Sequence, residues 1–168
     1  IDWIVTNPQR NEIIRNLTVA QDGNTLLLFQ FVEKHGRVLY DMLKEEDRSV
    51  FFVHGGTDTE TREEIRALTE KETDAIIVAS YGTFSTGINI RNLHNIVFAS
   101  PSKSRIRNLQ SIGRGLRRGD KKVVCNLFDI GDDLSWKSHK NYTLNHLIER
   151  IKLYNEEGFN YKLVKINV

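Results

Sequence analysis

The side chains best equipped for chemistry sit in Gln110-x-x-Gly113-Arg114-x-x-Arg117, inside a stretch dense in positive charge. At 100° per residue, Gln110, Arg114 and Arg117 fall at i, i+4 and i+7 on one helix face. Arg107 and Arg118 flank that face, while Leu109, Ile112 and Leu116 form a separate apolar stripe that can pack on a sheet. Gly113 and Gly115 each cost a helix about 1 kcal/mol relative to alanine, so their use points to something approaching the backbone closely. Guanidinium forks bind phosphate oxygens bidentately and keep their charge. Two of them beside a carboxamide suit a phosphate chain. The competing reading is a solvated basic helix face.

The charge of the whole chain conceals this stretch. Residues 103–122 hold eight basic side chains (Lys103, Arg105, Arg107, Arg114, Arg117, Arg118, Lys121, Lys122) against Asp120 alone, and so carry +7. The 168 residues together carry only +2, which leaves −5 for the remainder. Such polarity favours a polyanionic partner. The hydrophobic fraction of 39% is enough for a real core in one domain. No apolar run approaches the ~18 residues needed to cross a bilayer. One cysteine, Cys125, allows neither an internal disulfide nor a cysteine cluster for zinc, and in its apolar strand it reads as a small core side chain. His35, His94 and His139 lack metal-ligand spacing, and a turn at Gly131 accounts for Asp129, Asp132 and Asp133 without a metal. An initial Ile1, with Met42 the only methionine, reads as a chain cut from a longer one.

Apolar runs alternating with helical patterns must position these groups. Strands are expected over residues 25–30, 49–53, 74–79, 95–99, 122–129 and 161–166, the middle four buried on both faces. Helices are expected over 8–19, 31–44, 60–70, 105–116 and 142–157, with Pro8 suited to a first turn. In the last of these, Leu144, Leu147, Ile148 and Ile151 form a core stripe beside a polar row of His146, Arg150 and Tyr154. Residues 1–7 read as a linker and 8–168 as the domain. Repeated strand–helix–strand units predict an α/β fold, a parallel sheet covered by helices on both faces. Ligands of such sheets sit beyond the carboxyl ends of the strands, at loops 54–59, 80–86 and 101–104 here.

Four stretches in order resemble the motifs of superfamily 2 helicases in their second, RecA-like motor lobe. Gln110-x-x-Gly113-Arg114-x-x-Arg117 resembles motif VI, and Ala79-Ser-Tyr-Gly-Thr-Phe-Ser-Thr-Gly87-Ile88-Asn89-Ile90 resembles motif V. Leu26-Leu-Leu-Phe-Gln30 is similar to the strand of motif IV, and His54-Gly55 followed by Arg62 to the motif between those two. Within that family the likeness is greatest to helicases of bacteriophage recombination. The resemblance implies that Arg114 and Arg117, with Gln110, reach ATP bound on an opposing first lobe and act as arginine fingers. Gly87, Asn89 and Gly113 would lie against the nucleotide. Motif V commonly ends Gly-x-Asp; Asn89 can accept a hydrogen bond there without the carboxylate's charge. The DNA side would be His54, Gly55, Arg62, Ser80, Gly82 and Thr83, gripping the backbone without reading sequence. His54 has an ordinary loop histidine as its alternative, and Arg62 an exposed helix arginine paired with Glu63 or with the neighbours of Arg66.

The nucleotide half of a phosphoryl-transfer motor is missing from the sequence. Gly82 to Gly87 has the spacing of a phosphate-binding loop, but Ile88-Asn89 follow where Lys-Ser/Thr is required. Glu45-Glu46-Asp47 follows a helix and reads as a solvated helix end. ATP and Mg2+ are therefore expected mainly on the other lobe, and the chain alone is expected to be inactive. The resemblance implies branched or single-stranded DNA as partner, branched recombination and replication intermediates as substrates, and the host-cell cytoplasm as location. Two rival readings remain: a nucleic-acid-binding module without ATP chemistry, and a lobe of a duplex translocase that does not separate strands.

Overall fold

The computed structural model describes residues 2–85, 93–99 and 126–132, together with positions 148, 151, 152, 164 and 166. Its centre is a parallel sheet of β1 (Thr25–Phe29), β2 (Val50–Val53), β3 (Ile76–Ser80), β4 (Asn95–Phe98) and β5 (Asn126–Asp129), in the order β2-β3-β1-β4-β5. β1, β3 and β4 are buried along their whole length, as continuous apolar runs should be. The expectation of full burial fails for β2 and β5, which are the outer strands here and only partly covered. Conversely β1, which lay outside the group expected to be buried on both faces, is the central strand. Of the sixth expected strand, Val164 and Ile166 are described; neither is in a strand and both are exposed. Alternating apolar residues need a partner strand to become β-structure, and these two pair with none of the described strands.

Alternation along each strand sends side chains to two cores. On one face Leu26, Leu28, Ile77, Ala79, Ile96 and Phe98 meet Ile65 of α4 (Thr59–Lys71). On the other, Leu27, Phe29, Ile76, Val78 and Val97 meet Ile14 of α2 (Pro8–Val19) and Leu39 and Leu43 of α3 (Arg37–Leu43). The chain runs outward from β1 to β2 and back from β2 to β3. Right-handed crossovers in opposite directions place α3 and α4 on opposite faces.

Local chemistry sets the helix ends. Asn7 accepts from the Arg10 N–H at 3.1 Å with Pro8 in the first turn, a cap and a starter in sequence. Ahead of them α1 (Asp2–Thr6) occupies the segment expected to be a linker, and its Ile4 and Val5 are buried. The helix expected over 31–44 begins instead with a π-turn, Val32–Gly36, in which the Gly36 N–H bonds to the Phe31 carbonyl at 2.9 Å. Gly36 lies against Phe29 so closely that a Cβ would come within 2.4 Å of the ring, and the widened turn accommodates that approach. Ile148, Ile151 and Lys152 are helical, within the helix expected there. The helix expected over 105–116 lies outside the described residues, as does Cys125. Among the described residues no helix is long and apolar enough to cross a membrane.

Candidate nucleic-acid interface

Because every strand is parallel, the residues following β1, β2 and β3 emerge at one edge of the sheet. Val53 is in register with Ala79, so the loop after β2 and the turn after β3 are neighbours. His54, Gly55, Ser80, Gly82 and Thr83 are thus brought together by register alone. Arg62 joins them from the first turn of α4.

The loop after β2 is closed by its own hydrogen bonds. The His54 N–H donates to Thr57 Oγ1 at 3.1 Å, and the Thr57 N–H returns to the His54 carbonyl at 3.0 Å. The Gly56 N–H donates to His54 Nδ1 at 3.0 Å, which requires that nitrogen to carry no proton. Three of the loop's N–H groups are thereby engaged within it. Gly55 is exposed, with open space where a side chain would stand. The His54 ring is tilted on Phe52, centroids 5.1 Å apart, and Phe52 in turn stacks on Phe29 and Tyr40 with Arg37 above its ring. Histidine here is more than a loop residue: it is seated on the aromatic core and shapes the turn.

Arg62 does not pair with Glu63. Its Nη2 donates to the carbonyls of His54 and Gly55, both at 3.3 Å, and its Nε is buried without a partner. Glu63 and Glu70 are taken by Arg66. Asp58 caps α4 by accepting from the Thr61 N–H at 2.7 Å, and that bond, more than its Thr61 side-chain bond or the nearby Arg62 charge, holds its carboxyl below the ordinary aspartate value. Glu33 is likewise held down by its hydrogen bonds from Arg37.

After β3, where a loop is expected over 80–86, the chain turns at once into α5 (Tyr81–Ser85). The Ser80 and Thr83 hydroxyls lie 2.6 Å apart, and Ser80 Oγ accepts from the Thr83 N–H at 3.4 Å. Both residues are buried, 8% and 3% exposed, and Ser80 caps the helix that follows it. Gly82 is the exposed member of the turn and has open space above its α-carbon. This edge therefore presents glycine backbone at Gly55 and Gly82, framed by side chains occupied with each other.

Gln110, Gly113, Arg114 and Arg117, and likewise Gly87 and Asn89, lie outside the described residues. Among the described residues no cluster of three His, Cys, Asp or Glu side chains could hold a metal ion. Asp132, read from the sequence as part of a turn, has a partner that the sequence did not reveal. It receives a bidentate ion pair from Arg10, Nε to Oδ1 at 2.6 Å and Nη2 to Oδ2 at 2.9 Å, and with side chains 6% and 11% exposed. A separation of 122 residues left no local signal for it.

Comparison with known proteins gives this edge its context. The helicase conserved C-terminal domain family matches residues 9–119, a span that includes the stretch from Gln110 to Arg117. The ATP-dependent DNA helicase uvsW of Enterobacteria phage T4 is 39% identical over 95% of the chain and 34% of its own length. A putative ATP-dependent RNA helicase of African swine fever virus (isolate Tick/Malawi/Lil 20-1/1983) is 31% identical over 95% of the chain and 33% of its own. The crystal structure of T4 UvsW superposes with a TM-score of 0.75 at 40% identity, covering 92% of this chain and 34% of that one. The E. coli DEAD-box protein SrmB, 20% identical with a TM-score of 0.54 over 71% of this chain and 70% of its own, shares the fold. The chain spans about a third of the length of the curated relatives it matches. It belongs to the helicase conserved C-terminal domain family, as the second, RecA-like lobe of a superfamily 2 helicase.

Proposed function

We propose that this lobe serves an ATP-dependent DNA helicase or translocase acting on branched recombination and replication intermediates. It works against a first RecA-like lobe that holds most of the ATP and its Mg2+. The observation that carries this reading is the 39% identity, along 95% of the chain, to a phage ATP-dependent DNA helicase. The family match extending through Arg114 and Arg117 supports it. In this reading Arg114 and Arg117 approach the γ-phosphate when the lobes close, and their fixed charge stabilises the charge that develops in phosphoryl transfer. In the same reading Gln110 and Gly113 belong to the same motif as the two arginines, and Gly87 and Asn89 face the nucleotide. Reopening after hydrolysis moves one lobe relative to the other along the strand.

The carboxyl edge supplies the grip. Gly55 and Gly82 offer backbone without side-chain obstruction, which suits a phosphate chain held regardless of sequence. His54, Ser80 and Thr83 hold those two turns in shape.

The test is DNA-stimulated ATP hydrolysis by the full-length protein. Arg114→Ala and Arg117→Ala should each lower turnover by about 10³–10⁵, the range of arginine fingers elsewhere, while leaving DNA affinity largely intact. Near-normal unwinding by either variant would remove the arginine-finger assignment.

A further inference from the structure

We infer that Arg62 is a positioning residue for the nucleic-acid grip and makes no direct contact with the phosphate backbone. The proposal rests on the assignment of the 54–57 loop to nucleic acid made above. An arginine beside such a loop would ordinarily be taken as a phosphate ligand, since its fork matches phosphate geometry. Three observations point elsewhere. Arg62 Nη2 is already shared between two carbonyl oxygens of the loop, those of His54 and Gly55. Its Nε is buried and unpartnered, so a phosphate cannot reach that side of the fork without moving the arginine. Its charge also acts on Asp58, the capping carboxylate four residues before it.

The bonds it does make have a clear consequence. The His54 carbonyl accepts from both Arg62 Nη2 and the Thr57 N–H, and it is the hinge of the turn. The Gly55 carbonyl, one residue on, is held by the same nitrogen. With both carbonyls drawn toward α4, the peptide planes around Gly55 are fixed, and so is the direction of its N–H. Arg62 thus acts through Gly55, setting the backbone that the strand would meet.

Salt dependence separates the two roles, because each lost phosphate contact removes about 0.7 from the slope of log affinity against log salt for a single strand. The test uses the full-length protein, an oligo-dT probe and the variant Arg62→Met, which keeps an unbranched stem in the buried path. Loss of the two loop bonds is expected to weaken binding about tenfold with the salt slope unchanged. In nucleic-acid-free protein, hydrogen exchange at the Gly56 and Thr57 N–H groups should accelerate, with α4 and the sheet unaffected. A slope shallower by about 0.7 with exchange at 54–57 unchanged would overturn the proposal in favour of direct contact. Unaltered affinity, or accelerated exchange spread across the sheet, would also overturn it, the latter by making Arg62 merely structural. Should Arg62→Met not fold, Arg62→Lys keeps the charge and is read the same way; wild-type affinity with wild-type exchange would then refute positioning. Gly55→Glu tests the underlying assignment separately, since it places a negative charge in open space and leaves Arg62's acceptors intact. Weakened binding supports the loop as a nucleic-acid contact. Unchanged binding removes that assignment, and the proposal with it, whatever Arg62→Met does.

Discussion

The two edges of the sheet are built from similar residues and used in opposite ways. At the amino edge polar groups are consumed by the fold. Asn24 donates through Nδ2 to the carbonyls of Thr69 and Glu72 and accepts the Ala75 N–H at 2.8 Å, so one buried carboxamide ends α4 and starts the run into β3. The guanidinium of Arg48 gathers the carbonyls of Val19, Gln21, Gly23 and Asp74, and pairs with the Asp74 carboxylate. His94 Nδ1 accepts the Asn24 N–H at 3.0 Å, above Gly23, whose φ of +90° and tight approach to that ring leave no room for a side chain. In the turns after β2 and β3 at the carboxyl edge, by contrast, side chains hold their own turns and leave glycine backbone facing outward at Gly55 and Gly82. An arginine holds carbonyls at both edges. Arg48 staples three chain segments together and Arg62 shapes a single loop. One edge is a lock and the other a presentation surface.

That contrast can be broken by substitution. The largest effect should come from Arg10→Ala, which removes one side of the buried Arg10–Asp132 ion pair. A loss of about 3–5 kcal/mol in chemical denaturation is expected, the range for breaking a buried pair from one side. A loss under about 1 kcal/mol would show that the pair is solvated in solution. Next comes Asn24→Ala at the amino edge. It leaves the buried Ala75 N–H without its acceptor and removes one bond each from the Thr69 and Glu72 carbonyls, and should cost about 2–3 kcal/mol by the same measurement, with nucleic-acid affinity per folded molecule unchanged. Smallest is the stability change of Gly55→Glu, expected within about 0.5 kcal/mol because the position is open. A large loss of stability there would mean that the carboxyl-edge loop is itself part of the lock.

Much of the fold was legible because its signals are local. The apolar runs at 25–30 and 95–99 became β1 and β4, and Pro8 after Asn7 marked the start of α2. What the sequence hid was set by partners far away in the chain. Strand order decides which runs are covered on both faces, and so β2 and β5, expected in the interior, are the outer strands among the described residues. The π-turn at 32–36 depends on the ring of Phe29 meeting Gly36, and a helical period does not report that meeting. At the candidate site the gathering of the loops after β2 and β3 was legible, and the hydrogen bonds of their side chains were not. Ser80 and Thr83 look like hydroxyls for a ligand, yet they satisfy each other. Arg62 looks like a cation for phosphate, but its Nη2 is turned to carbonyls eight and seven residues earlier and its Nε is buried. Motif spacing locates a surface; hydrogen-bond accounting decides which groups on it are still available.

The central claim, that the carboxyl edge is the nucleic-acid face and the amino edge is closed structure, is tested most directly by amide hydrogen exchange of the full-length protein with and without oligo-dT. The account predicts slower exchange on binding at residues 54–57 and 80–83, and no change at residues 22–25 and 72–76. Protection confined to the amino edge, or absent from 54–57 at saturating oligonucleotide, would contradict it.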